Sequence, residues 1–191
     1  MLIGVLAMQG AFREHQLMLS ACGVDSRQVR KPEDLNGLDG LIIPGGESTT
    51  ISKLLADYGL FEPLKLLGKE GMPVFGTCAG AILLAKEIED SSFERLRLMD
   101  IRVKRNAFGR QLESFEEDLE MPVLTGGPFR AVFIRAPHIT GTGPKVEALA
   151  SYGGRVVCAR QGSLLAAAFH PELTVDRRLH EYFLNICKCP K

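Results

Sequence analysis

The sequence predicts a three-layer α/β fold, with a mostly parallel central sheet, helices on both faces and a small antiparallel strand region. Three observations carry this. Short apolar runs recur without polar alternation, as in strands buried on both faces. Helical patterns fall between them. The middle of the chain then switches to strict apolar/polar alternation, the period of a half-exposed strand.

The elements follow in order. Leu2–Ala7 reads as a first strand, and Phe12–Cys22 as a helix with Leu17, Met18, Ala21 and Cys22 on one face and Gly23 as its stop. Leu41-Ile42-Ile43 is a buried strand that ends in Pro44-Gly45-Gly46-Glu47-Ser48, where Ser48 is placed as the N-cap of a following helix. Met72–Phe75 is a further strand, and Ala79–Ile88 reads as a helix. Met99, Ile101 and Val103 alternate with Asp100, Arg102 and Lys104, and Arg130–Arg135 and Val156–Arg160 look similar. Turn signals stand at Gly126-Gly127-Pro128, Gly141-Thr142-Gly143-Pro144 and Gly153-Gly154. Leu164–Phe169 is again apolar throughout, and a last helix from about Val175 to Cys187 buries Leu179, Phe183, Ile186 and Cys187. No repeat, linker or low-complexity segment divides the chain, so residues 1–191 are read as one domain.

Composition narrows the functional classes. Twenty-three basic and 23 acidic residues give a formal net charge of zero, which leaves no electrostatic footprint for nucleic acid or an anionic membrane. No apolar run approaches the roughly 18–20 residues of a membrane span, and the N-terminus lacks the basic region of a signal peptide. Five scattered cysteines fit reduced thiols and a cytoplasmic setting. Cys187-x-Cys189 is short for a metal or disulfide motif and reads as a frayed tail. No cofactor and no metal are expected.

The chemistry gathers at Gly76-Thr77-Cys78-Ala79-Gly80, between a strand and a helix. Gly-x-Cys-x-Gly in that setting is a nucleophile elbow, whose small neighbours tolerate a turn that exposes the nucleophile. A thiol at a helix N-terminus also meets unpaired N–H groups that favour thiolate. His170, after the Leu164–Phe169 strand, is the candidate base. Glu172, two residues on in an extended segment, is expected on the same side to orient it. Gly45 and Gly46 can turn backbone N–H groups toward a cleft, and the Ala79 N–H is the second donor of an oxyanion hole. A phosphate loop is excluded, since no Gly-Lys-Ser/Thr follows and no GxGxxG is present. Three polar clusters, Gln9–His15, Arg105–Gln111 and Ile134–Ile139, have no internal explanation; their arginines suit a substrate carboxylate or plain solvated charge.

Taken together, Gly-Thr-Cys78-Ala-Gly, Phe-His170-Pro-Glu172 and the Pro-Gly-Gly loop resemble the class I, triad-type glutamine amidotransferases, which have a flavodoxin-like sheet. Gln9–His15, Pro44–Thr50, Arg105–Gln111 and Phe133–Ile139 narrow the resemblance to the glutaminase subunits of pyridoxal 5′-phosphate synthase, over Leu2 to about Phe183. The resemblance implies hydrolysis of L-glutamine to glutamate and ammonia through Cys78, His170 and Glu172. It implies glutamine contacts at Gly46, Glu47, Ser48, Arg105, Ile134 and Arg135, and an oxyanion held by Gly45 or Gly46 with Ala79. It also implies a partner, a (β/α)8-barrel synthase subunit, in a complex of twelve plus twelve subunits for vitamin B6 biosynthesis. Gln9, Arg13 and His15 are the candidates for coupling docking to the oxyanion loop. Two other readings stand beside it. A stand-alone cysteine hydrolase or deglycase-like enzyme usually places histidine directly after the elbow cysteine, where this chain has Ala79. A non-catalytic regulatory subunit would not need the intact Cys78, His170 and Glu172.

Overall fold

A computed structural model describes residues 1–89, 91–105 and 114–188. The chain runs β1 (Leu2–Leu6), α1 (Phe12–Ala21), β2 (Asp25–Val29), β3 (Gly40–Ile43), α2 (Ser48–Asp57), α3 (Phe61–Lys69), β4 (Val74–Thr77) and α4 (Ala79–Leu84). It continues through β5 (Ala85–Ile88), β6 (Met99–Lys104), β7 (Ser114–Leu119), β8 (Phe129–Ile134), β9 (His138–Thr142), β10 (Glu147–Tyr152), β11 (Arg155–Gln161), β12 (Leu164–Ala167) and α5 (Arg178–Lys188).

The main sheet has the order β2-β1-β3-β4-β12-β11-β9-β6-β5, with β10 paired to β11. From β2 to β12 every pairing is parallel. Counted along the chain, these five strands have the doubly wound order 2-1-3-4-5, so their C-terminal ends open on one edge where such sheets place ligands. Both faces are covered, as the unbroken apolar runs require. Leu41, Ile43 and Val74 face a core with Ile51, Leu55 and Leu64 of α2 and α3 and with α4. Ile3, Val5, Ile42 and Phe75 face another with Leu19 of α1 and Leu179 and Phe183 of α5.

The antiparallel part takes both forms open to it. β9, β10 and β11 extend the main sheet, and β7 with β8 forms a separate two-stranded sheet. Phe115 of β7 stacks on Phe133 of β8 at 4.6 Å, and Phe133 meets Phe169 edge-on at 5.5 Å, which seats this small sheet on the core. Gly153 and Gly154 turn β10 into β11 with positive φ at both positions, the backbone that a tight hairpin demands.

Several local expectations are corrected. Leu17 is 71% exposed and Ala21 is also exposed; α1 buries Met18 as read, together with His15 and Leu19. The apolar face is set by contact with the sheet, and a buried histidine stands where hydrophobicity alone would not seek one. The helix after Cys78 stops at Leu84, and Ala85–Ile88 leaves as β5 to pair with β6. The N-cap of α2 is Glu47, extended at φ −94°, whose carboxylate accepts from the Thr49 hydroxyl at 2.9 Å; Ser48 is the first helical residue. The last helix begins at Arg178, leaving Val175 97% exposed. Gly141 and Thr142 lie inside β9. Cys187 is not part of a frayed tail, since its sulfur packs over Gly40 inside the last turn of α5. Cys189 lies outside the described residues, as do Asn106–Gln111 of the second polar cluster.

Candidate active site

Cys78 joins β4 to α4 at φ 45°, ψ −101°, a conformation that costs a non-glycine residue about 1–3 kcal/mol. Surrounding contacts hold it there. Its N–H donates to the Ala167 carbonyl at 2.8 Å, so the elbow is pinned to the strand that leads to His170. The flanking glycines are required by close approach. A Cβ on Gly80 would run into the Ile43 carbonyl, and one on Gly76 would sit 2.5 Å from the Gly80 carbonyl carbon. The thiol emerges beside the Ile134 carbonyl, 3.9 Å away.

His170 follows β12, and its N–H donates to the Val132 carbonyl of β8 at 2.8 Å. Its Nδ1 lies 2.7 Å from Glu172 Oε1. The pairing matches the sequence reading, but the reason differs. Pro171–Leu173 is a 3₁₀ turn, and the tight turn brings the carboxylate back under the imidazole where an extended strand was expected. Burial opposes a charged His170, but hydrogen bonds with Cys78 and Glu172 outweigh it and push its pKa up to about 10. Burial likewise works to raise the Glu172 pKa, yet His15 and the bond to His170 leave it lowered. At neutral pH the arrangement therefore favours an imidazolium backed by a carboxylate.

A cleft of about 280 Å³ opens over these groups, close to the lower end of ligand-pocket sizes and suited to a small metabolite. Cys78 and His170 form one wall. Gly46, Glu47 and Ser48 form a second, and Arg105, Ile134 and Arg135 a third. Arg105 donates to Glu47 Oε1 at 3.2 Å, and its guanidinium lies 5.7 Å over the ring of Phe93. Arg135 is another positive-φ residue, at 42°, directly after β8. The cleft thus presents two cations and one anion around a sulfur, a charge pattern complementary to a zwitterionic amino acid.

Gln9 also lines the cleft, and its side-chain oxygen accepts from the Glu47 N–H at 2.7 Å. The Gly45 carbonyl accepts from the Ala11 N–H at 3.1 Å. A trans peptide sets its N–H opposite its carbonyl, so the Gly46 N–H points away from α1. A Cβ on Gly45 would strike the His170 ring, so this loop approaches the imidazole as only glycine allows.

The remaining candidates lie elsewhere. Glu172 is buried behind His170, and Ala79 is only 1% exposed at the start of α4. Arg13 is exposed on α1, 6.0 Å over Phe12, away from the cleft. His15 is fully buried, with Nε2 3.4 Å from Glu172 Oε2. Sequence reasoning missed Ile82, which lines the cleft, and Phe93 beneath Arg105. It also missed His180, whose Nε2 is 2.9 Å from His15 Nδ1. The signal for His180 was available, because it lies three, four and seven residues before Phe183, Leu184 and Cys187 on the buried face of α5.

The chain is similar to known proteins over nearly its whole length. The family model for the SNO glutamine amidotransferase family matches residues 5–189. A pyridoxal 5′-phosphate synthase subunit PdxT of Pelotomaculum thermopropionicum is 66% identical over 187 residues, covering 98% of this chain and 95% of that protein. Its counterpart in Carboxydothermus hydrogenoformans is 58% identical over 189 residues, covering 98% and 99%. A crystal structure of a glutamine amidotransferase superposes with a TM-score of 0.93 at 53% identity, covering 98% of this chain and 99% of that one. A structure of PurLQS from Thermotoga maritima, at 15% identity and a TM-score of 0.71, shares the fold alone. Matched over nearly its whole length by the family model, the chain belongs to the SNO glutamine amidotransferase family.

Proposed function

We propose that this chain is the glutaminase subunit of a pyridoxal 5′-phosphate synthase and hydrolyses L-glutamine to L-glutamate and ammonia. The observation that carries the reading is Cys78 and His170, with Glu172 buried behind the imidazole, in the wall of a cleft also lined by Arg105, Arg135 and Glu47. The two arginines suit the α-carboxylate of glutamine and Glu47 its α-ammonium group. Gly46, Ser48 and Ile134 complete the walls.

Cys78 sulfur attacks the side-chain amide carbon, and the oxygen takes up the negative charge. Backbone N–H groups of Gly45 or Gly46 and of Ala79 receive that oxyanion. His170, held as imidazolium by its two neighbours, gives its proton to the departing nitrogen, and ammonia leaves a γ-glutamyl thioester. The now neutral imidazole takes a proton from water, the resulting hydroxide attacks the thioester carbon, and glutamate and the Cys78 thiolate are released. Glu172 keeps the imidazole in one tautomer throughout, with its Nδ1–H on the carboxylate.

Ammonia is passed to a (β/α)8-barrel synthase subunit in an assembly of twelve plus twelve subunits. Residues 1–191 act as one glutaminase domain in the cytoplasm; among the described residues no helix is long and apolar enough to cross a membrane. Gln9, Arg13 and His15 couple docking to the site. Gln9 reaches the Gly46–Glu47 loop, Arg13 offers an exposed cation on α1, and His15 on the same helix reaches Glu172. A glutamine analogue with an electrophilic side chain, 6-diazo-5-oxonorleucine, tests the reading. It should alkylate Cys78 in the synthase complex, seen as a mass increase on the peptide carrying Gly76–Gly80, and glutamine should protect. Absence of labelling, or labelling that glutamine does not slow, would overturn it.

A further inference from the structure

Behind the triad lies a buried polar chain for which hydrolysis by Cys78, His170 and Glu172 assigns no part. Glu172 uses Oε1 for His170, while its Oε2 is buried and makes no hydrogen bond among the described residues. The group facing Oε2 is His15 Nε2, 3.4 Å away, which also lies 3.1 Å from Thr77 Oγ1. The other nitrogen of His15 is 2.9 Å from His180 Nε2, and both rings are fully buried. Phe75 packs against both edge-on, at 6.3 Å from His15 and 5.9 Å from His180.

The protons of this chain can be assigned. Burial lowers the pKa of His15 and takes that of His180 down to about 3, so both rings are neutral and each carries one N–H. His180 Nδ1 is buried without a hydrogen-bond partner among the described residues. A bare lone pair there costs less than an unpaired N–H, so the His180 proton belongs on Nε2, which donates to His15 Nδ1. That leaves the His15 proton on Nε2, the nitrogen bonded to Thr77 Oγ1 at 3.1 Å and lying 3.4 Å from Glu172 Oε2. The opposite assignment would strand an N–H at His180 Nδ1 and aim a lone pair at a carboxylate. The charged and titratable groups facing His15 are Glu172, His170, Glu14 and His180, and the nearest full charge is the carboxylate.

We propose that His15, its tautomer fixed by His180, is a positioning residue that holds the outer oxygen of Glu172 and so aims His170 at Cys78. The carboxylate is then held from two sides, by the imidazole in front and by a second ring behind. A link from α1 to the triad follows, because His15 sits one turn into the helix that begins beside the Gly45 carbonyl. The inference deepens the glutaminase reading and relies on it only where turnover is the readout.

The test compares His15→Gln with His15→Asn in the complex with the synthase subunit. Both are neutral amides of fitting size, so a difference between them is not a matter of polarity. The glutamine amide reaches the place of Nε2 and keeps a donor on Glu172; the asparagine amide reaches only the place of Nδ1. His15→Asn should lower kcat for ammonia release by roughly 10- to 100-fold, the cost of leaving a buried carboxylate oxygen without its polar neighbour, with KM changed less than about threefold. His15→Gln should recover most of that loss. The second readout is the rate of Cys78 alkylation by iodoacetamide against pH, which does not depend on glutamine being the substrate. His15→Asn should displace that profile from wild type and His15→Gln should not. Equal kcat and superimposable alkylation profiles for the two variants would overturn the proposal. A displaced profile in a protein that releases no ammonia even as wild type would uphold the positioning role and discard the glutaminase reading instead.

Discussion

At the scale of single residues, opposite pKa shifts are built into one small volume. The His170 pKa is raised to about 10 from 6.5, whereas that of His180 is lowered to about 3 from the same value. A raised pKa means that the folded state binds the extra proton between the two values, so its stabilisation is whole below pH 6.5 and is lost as pH rises toward 10. A lowered pKa acts in reverse, with stabilisation whole above pH 6.5 and lost as pH falls toward 3. His15 and Glu172, both lowered, add to the acid side. Urea midpoints should therefore peak near pH 6.5. Cys78→Ala should flatten the alkaline limb, because it removes one of the two groups that favour the imidazolium. An alkaline limb that Cys78→Ala leaves unchanged would contradict this. Cys78 itself was legible from the sequence because a strand, a Gly-x-Cys-x-Gly turn and a helix leave the side chain one place to go. For His180 only the burial was legible, from its place on the apolar face of α5; nothing in the sequence marks the ring it meets on a helix 165 positions away.

At the scale of elements, the loop after β3 and the start of α1 behave as one unit. Gln9 accepts from the Glu47 N–H and Ala11 donates to the Gly45 carbonyl, while a Cβ on Gly10 would collide with that same carbonyl. The segment leading into α1 thus meets the backbone next to His170 through two hydrogen bonds and one tight contact. Gln9→Ala should cut partner-stimulated ammonia release by roughly tenfold, the loss of one such bond at a charged transition state. Partner binding and stimulated release both equal to wild type would remove Gln9 from the coupling. The elements themselves were legible to different degrees. β3, β4 and β12 announced themselves as unbroken apolar runs because both their faces are buried. β2, with the sequence Asp-Ser-Arg-Gln-Val, did not, because it is the outer strand and only Val29 is buried. α4 was read too long, since Ala-Gly-Ala-Ile-Leu-Leu-Ala continues its apolar character straight into β5.

At the scale of the whole molecule, the parallel half of the sheet brings four segments far apart in sequence to one edge: Gln9 after β1, Gly45–Ser48 after β3, Cys78 after β4 and His170 after β12. Arg105 after β6, in the antiparallel half, and Arg135 after β8, in the separate two-stranded sheet, complete the cleft. Of the first set, the loop after β3, Cys78 and His170 could be inferred from the sequence by topology alone; Gln9 could not. The second could not, because strand-end arginines look the same whether they meet solvent or substrate, and only the fold turns these two inward. The family resemblance supplied what physics left open at that step. The reading as an ammonia-supplying subunit is tested most directly by measuring ammonia release from L-glutamine for wild type and Cys78→Ala, each with and without the synthase subunit. Wild type should release ammonia rapidly with the partner and far more slowly without it, and Cys78→Ala should release none in either state. Release that survives Cys78→Ala, or a wild type silent even with its partner bound, would contradict it.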